Sequence, residues 1–494
     1  MDSNPIFAVI DLGSYETVGM VGRKDDGKIC PIAYTKESSS TAVRHGYVCN
    51  IDSAATLFDK IITKLSKEEY LGENRAITKV YVGVGAQSLN STEVVVERSF
   101  EEDIVITQEL LQEMRDEASQ LRIAGKDNLL VTTPTYLVND VQEKNPKGMP
   151  CKCVKAFYQV ITARESIRKN IEIALKRINV TLVDILVSPI ALADITMTEA
   201  NKTLGCCQID LGAGKTSVCI YKNLTPVALY ILPMGGQNVT TDLTSLRFLE
   251  RDAEKFKIEK GSMVVESDRN KGFTFVDQDK TTERKIRYYD FTKITSSRMK
   301  EIFANILNII TCSGMQNSLD AGLQITGGGA KLSKFKDFMI KNLECVADVT
   351  LRKDLIIWDK PDIADPKCFT ALGLLRLAKE DCVDINKNIS DLFESEESAA
   401  QEAEQKEDVQ DPISALWTED DEAVADGEYD GGSVIIQDDK ESEDEMDDTI
   451  EIATNSQKQK KSKKEKRGGI GSTFGSLIHK ALDFFSDDEE EDMK

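Results

Sequence analysis

The sequence predicts an α/β fold made of two related domains, and three observations carry that prediction. From Ile6 to about Leu377, short β-branched runs alternate with helical stretches, the pattern of a sheet covered by helices. The run Ile10-Asp11-Leu12-Gly13-Ser14 recurs about 200 residues later as Ile209-Asp210-Leu211-Gly212-Ala213. At 494 residues the chain also exceeds what one hydrophobic core usually organises.

Strands are expected at Phe7 to Ile10, Lys79 to Val84, Leu129 to Val131, Thr181 to Val187, Cys206 to Ile209 and Leu323 to Thr326. Helices are expected at Ser53 to Leu65, Thr107 to Leu121, Ala163 to Ile178 and Ile294 to Ile310. Each copy of the repeat follows an apolar strand and precedes a second β-rich run, Thr17 to Val21 and Thr216 to Tyr221. A third glycine signal, Ile325-Thr326-Gly327-Gly328-Gly329-Ala330, follows another strand and leads into a helical segment near Ser333.

After about Asn388 acidic, Ser and Gln residues dominate up to Gln457, a composition that cannot bury enough surface to offset its ordering entropy. That stretch reads as a linker. The net charge of -23 argues against nucleic acid as a partner. Eleven cysteines without framework spacing read as reduced thiols, and the Cys151/Cys153 pair lacks further ligands for zinc. Ile6 to Ile10 is too short for the apolar core of a signal peptide and Asp11 interrupts it. No apolar run approaches the ~18 residues of a membrane span, so any membrane contact is expected to be peripheral.

A strand that ends in Asp-x-Gly and turns into another strand makes a tight hairpin whose glycines let backbone N–H groups approach an anion. Phosphate suits that cradle. The aspartate at the start suits a hydrated Mg²⁺, which keeps several waters and takes few direct carboxylates. Asp11 and Asp210 are therefore the metal candidates; Gly13, Ser14, Gly212, Gly214 and Thr216 are the phosphate candidates, with Lys215 adding charge. Either hairpin alone could be an ordinary turn. Their repetition, with the turn at Gly327, Gly328 and Gly329, favours a nucleotide site.

These motifs resemble the actin, Hsp70 and sugar-kinase superfamily, in which Asp11 to Ser14 looks like the first phosphate motif and Asp210 to Thr216 the second. The resemblance makes Ile325 to Ala330 the adenosine motif, Glu254 and Lys257 neighbours of the nucleoside, and Ala371 to Leu375 the second connecting helix. Within the superfamily the sequence resembles the bacterial cell-division family FtsA, through Gly46 to Asp52, Val80 to Ser88, Asn145 to Met149 and Asn238 to Leu243. The fold thus implied is actin-like, with duplicated ribonuclease H-like sheets and an FtsA-type insert. Residues 1–84, 163–203 and 363–388 would form subdomain 1A and 85–162 the inserted subdomain 1C. Residues 204–236 and 320–362 would form subdomain 2A, and 237–319 subdomain 2B. The resemblance implies ATP with Mg²⁺ as ligands, self-association into filaments, other division proteins as partners, and the FtsZ C-terminal tail received on residues 237–319.

Beyond a linker at 389–467, residues 468–486 read as an amphipathic helix ahead of an acidic tail, 487–494. Ile470, Phe474, Leu477, Ile478, Leu482 and Phe485 share one face, and Lys458 to Arg467 supply positive charge just upstream. Anionic membrane lipid is the expected partner; the arrangement looks like the FtsA membrane-targeting helix, and that resemblance implies the cytoplasmic face of the cell membrane at the division septum. A helix docked on the protein's own core or in a partner's groove is the alternative.

Three departures from the family bear on activity. Glu16 stands where many FtsA sequences carry lysine and is expected to repel phosphate. Ser296-Ser297-Arg298 keeps the arginine of a Glu-Pro-Arg run but not its glutamate, and Val187-Ser188-Pro189 offers no Gln or Glu to orient water. Weak or negligible ATP turnover is the expectation. The rival readings are an FtsA-like pilus-assembly adaptor and a phosphotransferase or chaperone of the same superfamily.

Overall fold

A computed structural model describes residues 5–384 apart from 40, 73, 121, 277–282, 344–345, 348–350 and 358–364. The expected linker, the amphipathic segment with Ile470 through Phe485, and the acidic tail therefore lie outside the described residues.

Ile6–Asp11 is the central strand of the first sheet, antiparallel to Glu16–Asp25 and parallel to Lys79–Val84. Lys28–Ser38 extends the sheet on one side and Thr181–Val187 on the other. Residues 6 to 10 are all buried, as a strand covered on both faces requires. The Ile51–Leu65 helix covers one of those faces: the Asn50 side chain accepts from the Ser53 N–H at its N-terminus, and Phe58, Ile61 and Leu65 point inward. Gly19 lets it settle close, because a Cβ there would lie 2.2 Å from the Ile61 side chain.

The second sheet repeats the plan. Cys206–Leu211 is antiparallel to Thr216–Lys222 and parallel to Leu323–Thr326, with Thr225–Leu232 and Val346–Ala347 at the edges. In both sheets the two strands of an Asp-Leu-Gly hairpin are flanked by a third antiparallel strand on one side and two parallel strands on the other. This duplicated α/β arrangement is the actin-like fold expected above.

Between the two copies the chain builds a further sheet from two long antiparallel strands, Asn90–Val105 and Pro150–Arg164, joined by Lys126–Val131, Thr135–Val138 and Val141–Glu143. The Gln108–Ser119 helix closes one face and sets its Met114 with Tyr158 and Val96 in a small core of its own.

Two short apolar helices lie where the halves meet. Ser188–Thr196 leaves the end of Thr181–Val187 and packs beside the second sheet, while Phe369–Leu377 lies across the first. They cross at Gly373, where a Cβ would stand 2.0 Å from the Ala191 carbonyl oxygen. Asp194 fastens the crossing by accepting from Arg376 at 2.6 Å and Lys202 at 2.9 Å.

Candidate functional site

Each hairpin turns tightly because glycine permits it. A Cβ on Gly13 would lie 2.2 Å from the Glu16 carbonyl oxygen, and one on Gly212 2.8 Å from that of Lys215, to which the Gly212 N–H donates at 3.0 Å. Among the described residues, the backbone N–H groups of Gly13, Ser14, Ala213 and Gly214 meet no acceptor in the chain. Four unspent donors on two tight turns form the kind of nest that takes an anion.

The fold brings these turns face to face. A Cβ on Gly214 would come within 2.9 Å of the Ser14 hydroxyl, whose oxygen accepts from the Gly46 N–H at 3.2 Å. His45 closes the same corner. Its Nδ1 lies 2.6 Å from the Gly214 carbonyl oxygen, and since a carbonyl only accepts, Nδ1 carries the proton.

Asp11 and Asp210 lie at corresponding strand ends, paired across their hairpins with Val18 and Ser217. Burial pushes the Asp11 carboxyl up to about 6, with Asp210 adding to the rise and both the Ser188 hydrogen bond and Lys215 opposing it. Burial raises Asp210 as well, against the pull of Lys215. Lys215 in turn is lowered by burial while the two aspartates hold its charge. Its ammonium crosses to the first half and donates to the Gly85 carbonyl. Two carboxylates against one ammonium leave the pocket with one negative charge in excess, so the donor set suits an added cation such as hydrated Mg²⁺.

The turn at Gly327, Gly328 and Gly329 packs directly on the second hairpin's strand. Gly327 has φ +93°, and a Cβ there would lie 2.4 Å from the Leu211 carbonyl and 2.6 Å from Asp210 Oδ1, so only glycine fits. Glu254 and Lys257 stand one step further out. Lys257 Nζ donates to Gly236 O at 2.9 Å, Thr240 Oγ1 at 2.8 Å and Glu254 Oε2 at 2.6 Å. The Gly236 N–H in turn reaches the Gly212 carbonyl at 2.9 Å, which ties this pair to the phosphate turn.

Other positions behave differently from the expectation. The Thr216 hydroxyl is buried under the hairpin and donates to the Met234 carbonyl at 2.8 Å, so it is turned away from the turn's open side. Glu16 does not stand as a bare negative charge: Lys367, distant in sequence, pairs with it at 2.6 Å. Arg298 grips Asp242 through two bonds, at 2.5 and 3.0 Å, and so staples two helices together. Ser188, passed over because it cannot orient water as Gln or Glu does, donates to Asp11 Oδ1 at 2.7 Å and fixes that carboxylate.

The sequence profile of the family described as "Cell division protein FtsA" matches residues 207–373. A Porphyromonas gingivalis protein named "Cell division protein FtsA" is 39% identical over 393 residues, spanning 79% of this chain and 82% of that protein. The chain belongs to the FtsA family of cell-division proteins. A Bacillus subtilis FtsA is 23% identical over 389 residues, covering 76% of this chain and 84% of its own. Among solved structures, a chain of the PilM-PilN type IV pilus biogenesis complex matches with a TM-score of 0.52 at 15% identity, over 77% of this chain and all of that one. At that identity the likeness concerns the fold, and the sequence relationship separates FtsA from the pilus-assembly reading. His45, Gly85 and Ser188 are the residues of this FtsA-family site that sequence reasoning did not single out.

Proposed function

We propose that this actin-like division protein binds ATP with Mg²⁺ between its two Asp-Leu-Gly hairpins, self-associates, and anchors FtsZ to the cytoplasmic face of the cell membrane at the septum. The observation that carries the nucleotide part is the Ser14–Gly214 approach, which sets two unspent N–H nests against each other beside Asp11 and Asp210. The turns would receive phosphate oxygens, with Gly327 to Gly329 and the Glu254–Lys257 pair bordering the nucleoside. Asp11 and Asp210 would hold the metal's waters, and the metal would supply charge to offset the phosphates. Ser188 holds Asp11 in place but presents a hydroxyl, not a carboxylate or amide, so turnover should be slow.

Family membership is what supports reading FtsZ as a partner, with its C-terminal tail on residues 237–319, and the formation of filaments. The membrane part rests on the apolar face of 468–486 and the lysine cluster before it. Among the described residues no helix is long and apolar enough to cross a membrane. A chain ending at Glu465 should lose co-sedimentation with anionic liposomes and should fail to bring FtsZ down with them, while still binding FtsZ in solution. Equal pelleting of the full and shortened chains would remove the anchor, and absence of FtsZ from the full-length pellet would remove the tether.

A further inference from the structure

Buried carboxylates beside a polyphosphate need positive charge near them, and a nucleotide ordinarily brings it as a hydrated metal. Here the second hairpin carries a cation in its own sequence. Lys215 leaves the turn between Gly214 and Thr216 and donates to the Gly85 carbonyl, just past the strand that pairs with Ile6–Asp11. Its seat is cut to size. A Cβ on Gly85 would stand 2.0 Å from Nζ, and one on Gly46 2.8 Å from it, so a side chain at either glycine would crowd the ammonium out of its seat. Among the described residues, Lys215 is the cation whose charge acts on both Asp11 and Asp210. Lys257, the other buried amine of the site, is engaged by Gly236, Thr240 and Glu254.

We propose that Lys215 is a resident cation of the phosphate cleft, which lets this chain hold ATP with little dependence on a divalent metal. The proposal rests on the nucleotide reading above and deepens it. A tethered ammonium does not have to be recruited from solution, and a chelator does not remove it. A single charge does not replace a metal as a Lewis acid, so the inference concerns affinity and leaves turnover slow.

Isothermal titration of ATP into the full chain, in Mg²⁺ and in EDTA, tests it. Chelation should weaken the unaltered protein by less than about threefold, whereas Lys215→Met should lose roughly tenfold or more in EDTA, about 1.4 kcal/mol, and regain most of it in excess Mg²⁺. Gly85→Ala, which evicts the ammonium from its seat while leaving the lysine in place, should show the same pattern and serves if Lys215→Met does not fold. A collapse of wild-type binding in EDTA, or a variant as indifferent to metal as the wild type, overturns the proposal. No ATP binding by the wild type even with Mg²⁺ would instead overturn the nucleotide reading itself, and this inference with it.

Discussion

Gly373→Ala should destabilise the folded chain by about 3 kcal/mol or more, at the upper end of what overpacking a core usually costs. The added Cβ would stand 2.0 Å from the Ala191 carbonyl oxygen and 2.4 Å from its carbon. Both are backbone atoms of the facing helix, so no side chain can swing aside, and relief requires the Ser188–Thr196 and Phe369–Leu377 helices to move apart. That separation would also break the Asp194 link to Arg376 and shift Ser188 away from Asp11. Urea unfolding measures the first effect, and a midpoint within error of the wild type would show that the two helices do not cross as closely as described. Any Gly373→Ala protein that does fold should bind ATP less well, because its hairpins no longer hold their spacing.

The second large effect runs the other way. At pH 7.5 Asp11→Asn should stabilise the ligand-free protein by up to about 3 kcal/mol while weakening its hold on Mg²⁺. Burial lifts this carboxyl from its ordinary 3.8 to about 6, so the folded state favours the protonated form. The corresponding stability is complete below about pH 4 and is lost as the pH rises through about 6, after which the penalty stays constant. Asparagine is uncharged at every pH, and its Oδ1 can still accept the Ser188 hydrogen bond. Stability curves of the two proteins should therefore coincide near pH 4 and separate up to pH 6. A variant less stable than the wild type at pH 7.5 would mean that Asp11 is compensated by more than the Lys215 charge and the Ser188 hydrogen bond.

How far the sequence spoke depended on whether each signal was local. Lys79–Val84, Thr181–Val187 and Leu323–Thr326 have the ends expected of them, because each is a short run rich in β-branched and aromatic residues. The long strands Asn90–Val105 and Pro150–Arg164 were not picked out: Glu93, Glu97, Glu101 and Glu102 interrupt the first, and much of its length faces solvent. The Asp-Leu-Gly turns and the triple glycine were legible for the same local reason, since each is a few consecutive residues with one conformational demand. What the sequence could not display was partnership at a distance. Ser188 meets Asp11 across 177 residues, His45 meets Gly214 across 169, and Lys367 reaches Glu16 across 351. Thr216 shows the converse. Its place in the motif suggested a phosphate contact, but the residue begins the returning strand, where the pleat turns its hydroxyl inward to Met234.

Equilibrium titration of ATP, followed for stoichiometry in the wild type and in two variants that each alter one hairpin, addresses the site most directly. A Cβ-bearing residue at Gly13 would collide with Glu16 O at 2.2 Å, and one at Gly212 with Lys215 O at 2.8 Å, so Gly13→Val and Gly212→Val each deform one turn and spare the other. One nucleotide should bind per wild-type chain, and either substitution alone should reduce affinity more than about tenfold. Two nucleotides per chain, or a variant that binds as well as the wild type, would contradict a single cleft gripped from both sides.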